Sequence, residues 1–343
     1  MRNRLSNVIR RFRRPGLTGG GDSYDVYAPD TAALTVSDYQ TIQQRTAQTL
    51  EFRRTIVENN RLRYASPGSR VSFQTNAEML RLNLYWNAEV YNVISGIASF
   101  NGVGSVLSNG TEIGTFDWSQ PLVKGYSSPT YSLATGTKTI TVVWPYSAGL
   151  QLQSVDLQRG ASLIAATRPA NKIGICGDSI SQGFDSGKIT TTWAYLLGNT
   201  QNRQVINLAN AGAPADASHA NALTGTGCDR VTYMIGYNDF ASQTALATFQ
   251  SRVEGWITNA RAALPSARIY VISTIYSPNT NTITLAQYRS AVQSAELAVG
   301  DANTFYIDGL SIMTNNTNRL NGTIHPNDLG ASEIATNLQP LIT

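Results

Sequence analysis

The sequence predicts two architectures in series. An all-β, jelly-roll-like sandwich comes first, and an α/β fold with a flavodoxin-like, doubly wound parallel sheet of five strands follows. Two observations carry this. From about Tyr64 to Leu163 the hydrophobic period is two: Leu80, Leu82, Leu84 and Trp86 alternate with polar neighbours, as do Ile140, Val142 and Trp144, then Leu150 and Leu152. From Lys172 onward, apolar runs at 172–176, 204–209, 231–235, 268–274 and 304–307 alternate with helical segments, notably 242–264, 283–299 and 329–339. Period two marks half-buried strands. Strand and helix in alternation mark a parallel sheet whose ligands sit beyond the carboxyl ends of its strands.

Residues 1–22 read as a basic arm and a Gly-rich linker. Leu5, Val8, Ile9 and Phe12 fall at helical spacing among Arg2, Arg4, Arg10, Arg11, Arg13 and Arg14, and "PGLTGGGD" follows. This arm suits docking to a larger assembly or an acidic surface. Its first 14 residues also account for the formal charge of +4, because the chain beyond them has 22 acids against 20 bases. A nucleic-acid-binding body is thereby excluded. Residues 23–63 read as a helical segment. The spacing predicts a helix from about Ser37 to Asn60, with Ser37 and Gln40 as a capping box and Ile42, Leu50 and Val57 as an apolar stripe.

Residues 64–166 read as the sandwich, with Asn-Gly turns at 101–102 and 109–110, the second inside "GSVLSNGTEIGTF". Residues 167–343 hold the α/β domain. No run of 18 apolar residues is present, so no membrane-spanning helix is expected. The basic start has no apolar core behind it, which argues against Sec-type export. Only 14 % of residues are charged, and Asn, Thr, Ser and Gly abound; neutral polar surfaces of this kind suit contact with carbohydrate. Cys176 and Cys228 fall near opposite ends of neighbouring strands, beyond disulfide reach, and read as buried thiols. Two His, two Cys and scattered acids offer no ligand cluster, so neither a metal nor an organic cofactor is expected.

Chemistry concentrates at the strand ends. "KIGICGDSISQG" runs off the first parallel strand into Gly-Asp-Ser, which puts Ser179 in a strand-to-helix turn. Serine in such a turn commonly caps a helix, and "GDSIS" lacks the G-x-S-x-G elbow. The other strand ends change that reading. Gly212, in "VINLANAGAPAD", lets a backbone N–H approach a ligand with no Cβ in the way. Asn238, in "MIGYNDF", offers a side-chain amide at the same edge. His325, in "NGTIHPNDLG", sits in a loop before the last helix, where it can serve as the base a serine needs. The second histidine, His219 in "ADASHANAL", reads as a surface residue. Tyr237, Phe240, Trp193 and Tyr276 lie near strand ends, where each can either pack in the core or stack on a sugar ring.

"GDSISQG", the Gly212 loop, "GYND" and the late "HP" resemble the four blocks of the SGNH hydrolases, also called the GDSL esterase family, over about residues 170–343. The resemblance implies Ser179 as nucleophile, Gly212 and Asn238 as oxyanion donors, His325 as general base and Asp178 as a turn-stabilising residue. It implies a serine esterase acting on a carbohydrate or other small ester; with no long apolar lid near the motifs, the acyl group is expected to be small, acetyl most simply. The region ahead of it is similar to the sandwich that precedes the hydrolase domain in some carbohydrate deacetylases. Two alternatives stay open: an acyltransferase with the same site, and a non-catalytic virion or carbohydrate-binding structural protein. The arm and the missing export signal suit a virion-borne or outside-acting enzyme, with the cytoplasm as the alternative. One departure stands out. The family places Asp three residues before the His, and here that position is Gly322. The expectation is therefore a Ser-His dyad, with the imidazole held by a backbone carbonyl or by Asn321. Asp328 is expected to begin the last helix.

Overall fold

A computed structural model of the chain describes residues 23–53, 66–87, 103–117, 125–146 and 149–343. The basic arm and linker, the Asn101-Gly102 turn and residues 54–60 of the expected helix lie outside the described residues. The rest of that helix is corrected. Residues 24–53 form the strands Tyr24–Tyr27, Thr35–Ser37, Thr41–Arg45 and Leu50–Arg53. Tyr24–Tyr27 and Leu50–Arg53 both pair with Gly149–Gln158, and Thr35–Ser37 pairs with Arg70–Thr75. Ladder bonds to these distant strands outweigh the local helical spacing. The expected capping box is absent as well. Ser37 donates its hydroxyl to Asp38, which sits at a positive φ of 60°, and Gln40 donates to the Ala222 carbonyl. The sandwich therefore begins at Tyr24.

Among the described residues its two antiparallel sheets have seven and six strands. Leu80, Leu82, Leu84 and Trp86 from one and Phe73, Ile140 and Val142 from the other meet in a common core with Leu50 and Phe52. The Asn109-Gly110 turn joins Gly104–Ser108 to Thr111–Phe116, and both turn residues have φ > 0, as a tight two-residue hairpin requires.

The C-terminal part matches the expectation closely. Five parallel strands, β1 (Lys172–Gly177), β2 (Gln204–Asn207), β3 (Arg230–Ile235), β4 (Arg268–Ser273) and β5 (Thr304–Ile307), form one sheet in the order β2-β1-β3-β4-β5. The helices are α1 (Ser179–Gln182), α2 (Trp193–Thr200), α3 (Tyr237–Ser242), α4 (Leu246–Ala263), α5 (Leu285–Val299), α6 (Gly309–Ile312) and α7 (Asp328–Leu338). None of the described helices is long and apolar enough to cross a membrane. A stacked pair deep in the core, Tyr233 of β3 on Trp256 of α4 at 4.0 Å, ties sheet to helix. Cys176 and Cys228 are free and buried, and burial pushes the Cys228 thiol up to about 11, so it stays protonated and unreactive at neutral pH.

The strand order reverses between β1 and its neighbours β2 and β3, and in sheets of this kind the reversal opens a crevice at the carboxyl ends. The sandwich is bound to this domain by polar contacts as well as packing. Buried Asp38 accepts from the backbone N of Val205 at 2.6 Å, and the Arg70 guanidinium lies 4.7 Å from the Tyr195 ring centroid.

Candidate active site

β1 ends on Gly177, whose φ is 138°. A Cβ there would stand 2.2 Å from the Met234 carbonyl oxygen, so only glycine fits between β1 and β3. Asp178 then caps α1, accepting from the Ile180 N–H at 2.9 Å, and Ser179 becomes the first residue of the helix. Gly183, at φ 103°, stops the helix after one turn. The next loop, 184–191, carries Asp185.

His325 reaches Ser179 from the other side of the crevice. Leu320–Asn321 and His325–Pro326 form a two-residue antiparallel ladder, with Gly322 at φ 63° in the turn between them. His325 Nε2 lies 2.8 Å from Ser179 Oγ. Its Nδ1 lies 2.8 Å from Asp185 Oδ2, and both side chains are 16 % exposed. The expected dyad is thus corrected to a three-residue relay. Neither a backbone carbonyl nor Asn321 holds the imidazole. Asn321 instead donates its amide to the main-chain oxygen of Asp185 at 2.5 Å, and so steadies the acid. Asp185 follows the nucleophile turn by six positions instead of preceding the histidine, which is why a search upstream of His325 misses it. The available signal was an acid in a glycine-bounded loop, "GFDSG", at the strand end that carries Ser179; Asp is among the few non-glycine residues that accept the observed φ of 64°.

The two remaining sequence candidates converge on the same rim. Asn238 stands in the first turn of α3. Its amide donates to the Ala213 carbonyl at 3.0 Å and to Asp178 Oδ2 at 3.4 Å, which links the ends of β1, β2 and β3. Gly212 has φ 79° with no heavy atom within 4 Å of where a Cβ would be, so its loop opens onto space. That loop is pinned on the side preceding Gly212: Asn210 N donates to the Gly177 carbonyl and Ala211 N to Gln182 Oε1. His219 sits apart, on the 3-10 segment Ala217–Leu223. Trp193, Tyr237 and Phe240 are buried core side chains. Tyr276 alone of the four named aromatics borders a cleft, about 320 Å³ in volume, with Asn279, Asn281, Thr284 and Asn315. Asn279 of this cleft donates to Tyr237 Oη at 2.6 Å and to Thr323 Oγ1 at 3.0 Å, residues that respectively adjoin Asn238 and precede His325 in the chain. Asp328 opens α7 as expected, though the cap itself is Asn327. Asp328 Oδ1 accepts from the Gly187 N–H at 2.7 Å and the Thr191 hydroxyl at 2.8 Å.

Asp178 is 2 % exposed, and burial pushes its carboxyl up to about 6, partly opposed by the Ile180 N–H and by His325. A carboxyl raised on folding favours the folded state in its neutral form. That contribution is complete below the usual 3.8 and is lost as pH rises through about 6. Asp178→Asn is always neutral and lacks this loss. Denaturant melts should therefore show wild type favoured over the variant by about 2 kcal/mol more at pH 4 than at pH 7. A pH-independent difference would refute the assignment.

Residues 175–332 match the family model described as GDSL-like Lipase/Acylhydrolase. No curated protein matches the sequence. Among solved structures, the chain is similar to a salicylyl-acyltransferase from a tetracycline biosynthetic pathway, with a TM-score of 0.77, 19 % identity, and 92 % of this chain and 95 % of that one covered. It is also similar to a family two carbohydrate esterase from Cellvibrio japonicus (TM-score 0.69, 15 % identity, 93 % and 97 % covered). An acetyl xylan esterase from Butyrivibrio proteoclasticus aligns with a TM-score of 0.68 at 12 % identity, over 93 % and 98 %. At these identities the likeness is one of fold, and it extends through the sandwich. Motif order and family model coincide over one stretch of sequence: residues 175–332 of this chain are a domain of the GDSL-like lipase/acylhydrolase family.

Proposed function

We propose that the protein is a serine esterase that removes small acyl groups, acetyl most simply, from a carbohydrate through an acyl-enzyme. The observation that carries this reading is the continuous relay Ser179–His325–Asp185. His325 takes the Ser179 proton at Nε2 as Oγ attacks the acyl carbonyl, while Asp185 holds Nδ1–H and stabilises the imidazolium that forms. The oxyanion develops against the backbone N–H of Gly212, the Asn238 amide and the Ser179 N–H; losing one such donor typically costs about 3 kcal/mol of transition-state stabilisation. His325 then protonates the leaving alcohol, and water releases the acid by the reverse steps. The cleft of amides, hydroxyls and the Tyr276 ring has the chemistry of a sugar-binding surface. The structural likeness to an acetyl xylan esterase points the same way.

The likeness to an acyltransferase favours a second reading, in which an alcohol replaces water as the acceptor. Product analysis of an aryl acetate reaction, with and without a polyol acceptor, separates the two by whether acetate or a new ester accumulates. The esterase reading itself is tested by mass spectrometry after fluorophosphonate treatment. Ser179 alone is expected to carry the adduct, and His325→Ala is expected to slow labelling by orders of magnitude. Labelling elsewhere, or labelling indifferent to His325, would overturn it.

A further inference from the structure

We propose that the β-sandwich is part of the catalytic apparatus, and that Tyr146 on it is a positioning residue that sets Asp185 and the His325 ring. This rests on the esterase reading above. Tyr146 follows the sandwich strand Lys138–Val143 and is fully buried. It touches the Asp185 loop directly and reaches the His325 and Gly212 loops through one intervening residue each. Its hydroxyl donates to the Ser186 carbonyl at 3.3 Å, next to Asp185. Its ring lies 5.7 Å from that of Phe184, and Phe184 in turn lies 5.9 Å from the His325 imidazole. Its own carbonyl accepts from Gln182 Nε2 at 3.0 Å, and the Oε1 of the same buried Gln182 accepts from Ala211 N at 3.1 Å, one residue before Gly212. One sandwich residue therefore lies behind the acid, the base and an oxyanion donor.

Asp185 needs such support. A non-glycine residue in the left-handed region is strained, and persists where its surroundings over-determine it. The sandwich grips the far end of the same loop as well. Glu112 pairs with Lys188 at 2.5 Å and accepts from the Thr190 hydroxyl at 2.9 Å. Between the two grips lies a small apolar cluster of mixed origin: Leu107, Val143 and Tyr146 from the sandwich, and Phe184, Ile189 and Tyr195 from the α/β domain. Apart from the sandwich, the loop is held by Asp328 of α7 and by Asn321.

The test is a double-mutant cycle. Tyr146→Phe removes only the hydroxyl and is expected to lower kcat for an aryl acetate about tenfold, with KM and melting temperature nearly unchanged. In an Asp185→Asn background the same change is expected to cost nothing further, because its route to the chemistry is already cut. Equal losses in both backgrounds, or no loss in either, would overturn the proposal. Glu112→Gln, at the other grip, provides a second variant should Tyr146→Phe not fold. A readout independent of turnover is the downfield proton resonance of His325 Nδ1–H, recorded with His219→Gln so that one histidine remains. It is expected in the parent, lost in Asp185→Asn and shifted or broadened in Tyr146→Phe. A parent without esterase activity that shows these changes refutes the functional reading but not the positioning role. A resonance unmoved by Tyr146→Phe refutes the positioning role.

Discussion

Ser179→Ala is expected to lower kcat toward an aryl acetate by about 10⁴ to 10⁶, as loss of the nucleophile does in serine proteases. The serines nearest to it in sequence cannot replace it. Ser181 is fully buried, and Ser186 is 2 % exposed and lies beyond Asp185. Fold and stability should be preserved, because the α1 cap is the Asp178 side chain and Ser179 enters the helix bonding through its main-chain carbonyl, which the Gly183 and Phe184 N–H groups meet. Stopped-flow measurement of p-nitrophenol release, alongside a thermal melt, checks both. A correctly folded variant that kept more than about a hundredth of the activity would place the nucleophile elsewhere.

Asp185→Asn is expected to cost nearly as much, on the order of 10⁴ in kcat, with little change in KM. The carboxylate can only accept, so it fixes the imidazole proton on Nδ1 and leaves Nε2 bare toward Ser179. A carboxamide can turn its NH₂ to Nδ1, which drives the proton to Nε2, where it blocks removal of the serine proton. If the activity were carried by a dyad, the substitution would lower kcat by less than about tenfold; steady-state kinetics with an aryl acetate distinguishes the two outcomes. The ground-state geometry favours the larger effect, since both hydrogen-bond distances in the relay are 2.8 Å.

How much of this was legible depended on how far apart the partners are in sequence. Each parallel strand carries its own apolar run and adjoining helical period, so all five could be read locally, within a few residues of their ends. The nucleophile and oxyanion candidates were legible for a related reason: each follows the end of one such run, while His325 was legible from its place in the loop before the last helix. Residues 24–53 were not, because their strand character comes from partners elsewhere. Leu50 lies opposite Leu152, and Tyr24 opposite Gln158. Ile42, Leu50 and Val57 also fall at a spacing that suits a helix face, and nothing nearby contradicts it. Asp185 was hidden differently. Its partner is 140 residues away, and its function depends on a loop conformation stabilised in part by side chains of the sandwich.

The contact between Asp38 and Val205 has a consequence for anyone dissecting the chain. β2 is an outer strand of the parallel sheet, and an outer strand with vacant amides recruits other chains. Asp38, only 3 % exposed, occupies one of those amides with a carboxylate whose proton affinity burial raises and Arg70 moderates. Excising the α/β half at residue 167 would strip this margin bare, and the isolated fragment should self-associate instead of surviving as a soluble mini-enzyme.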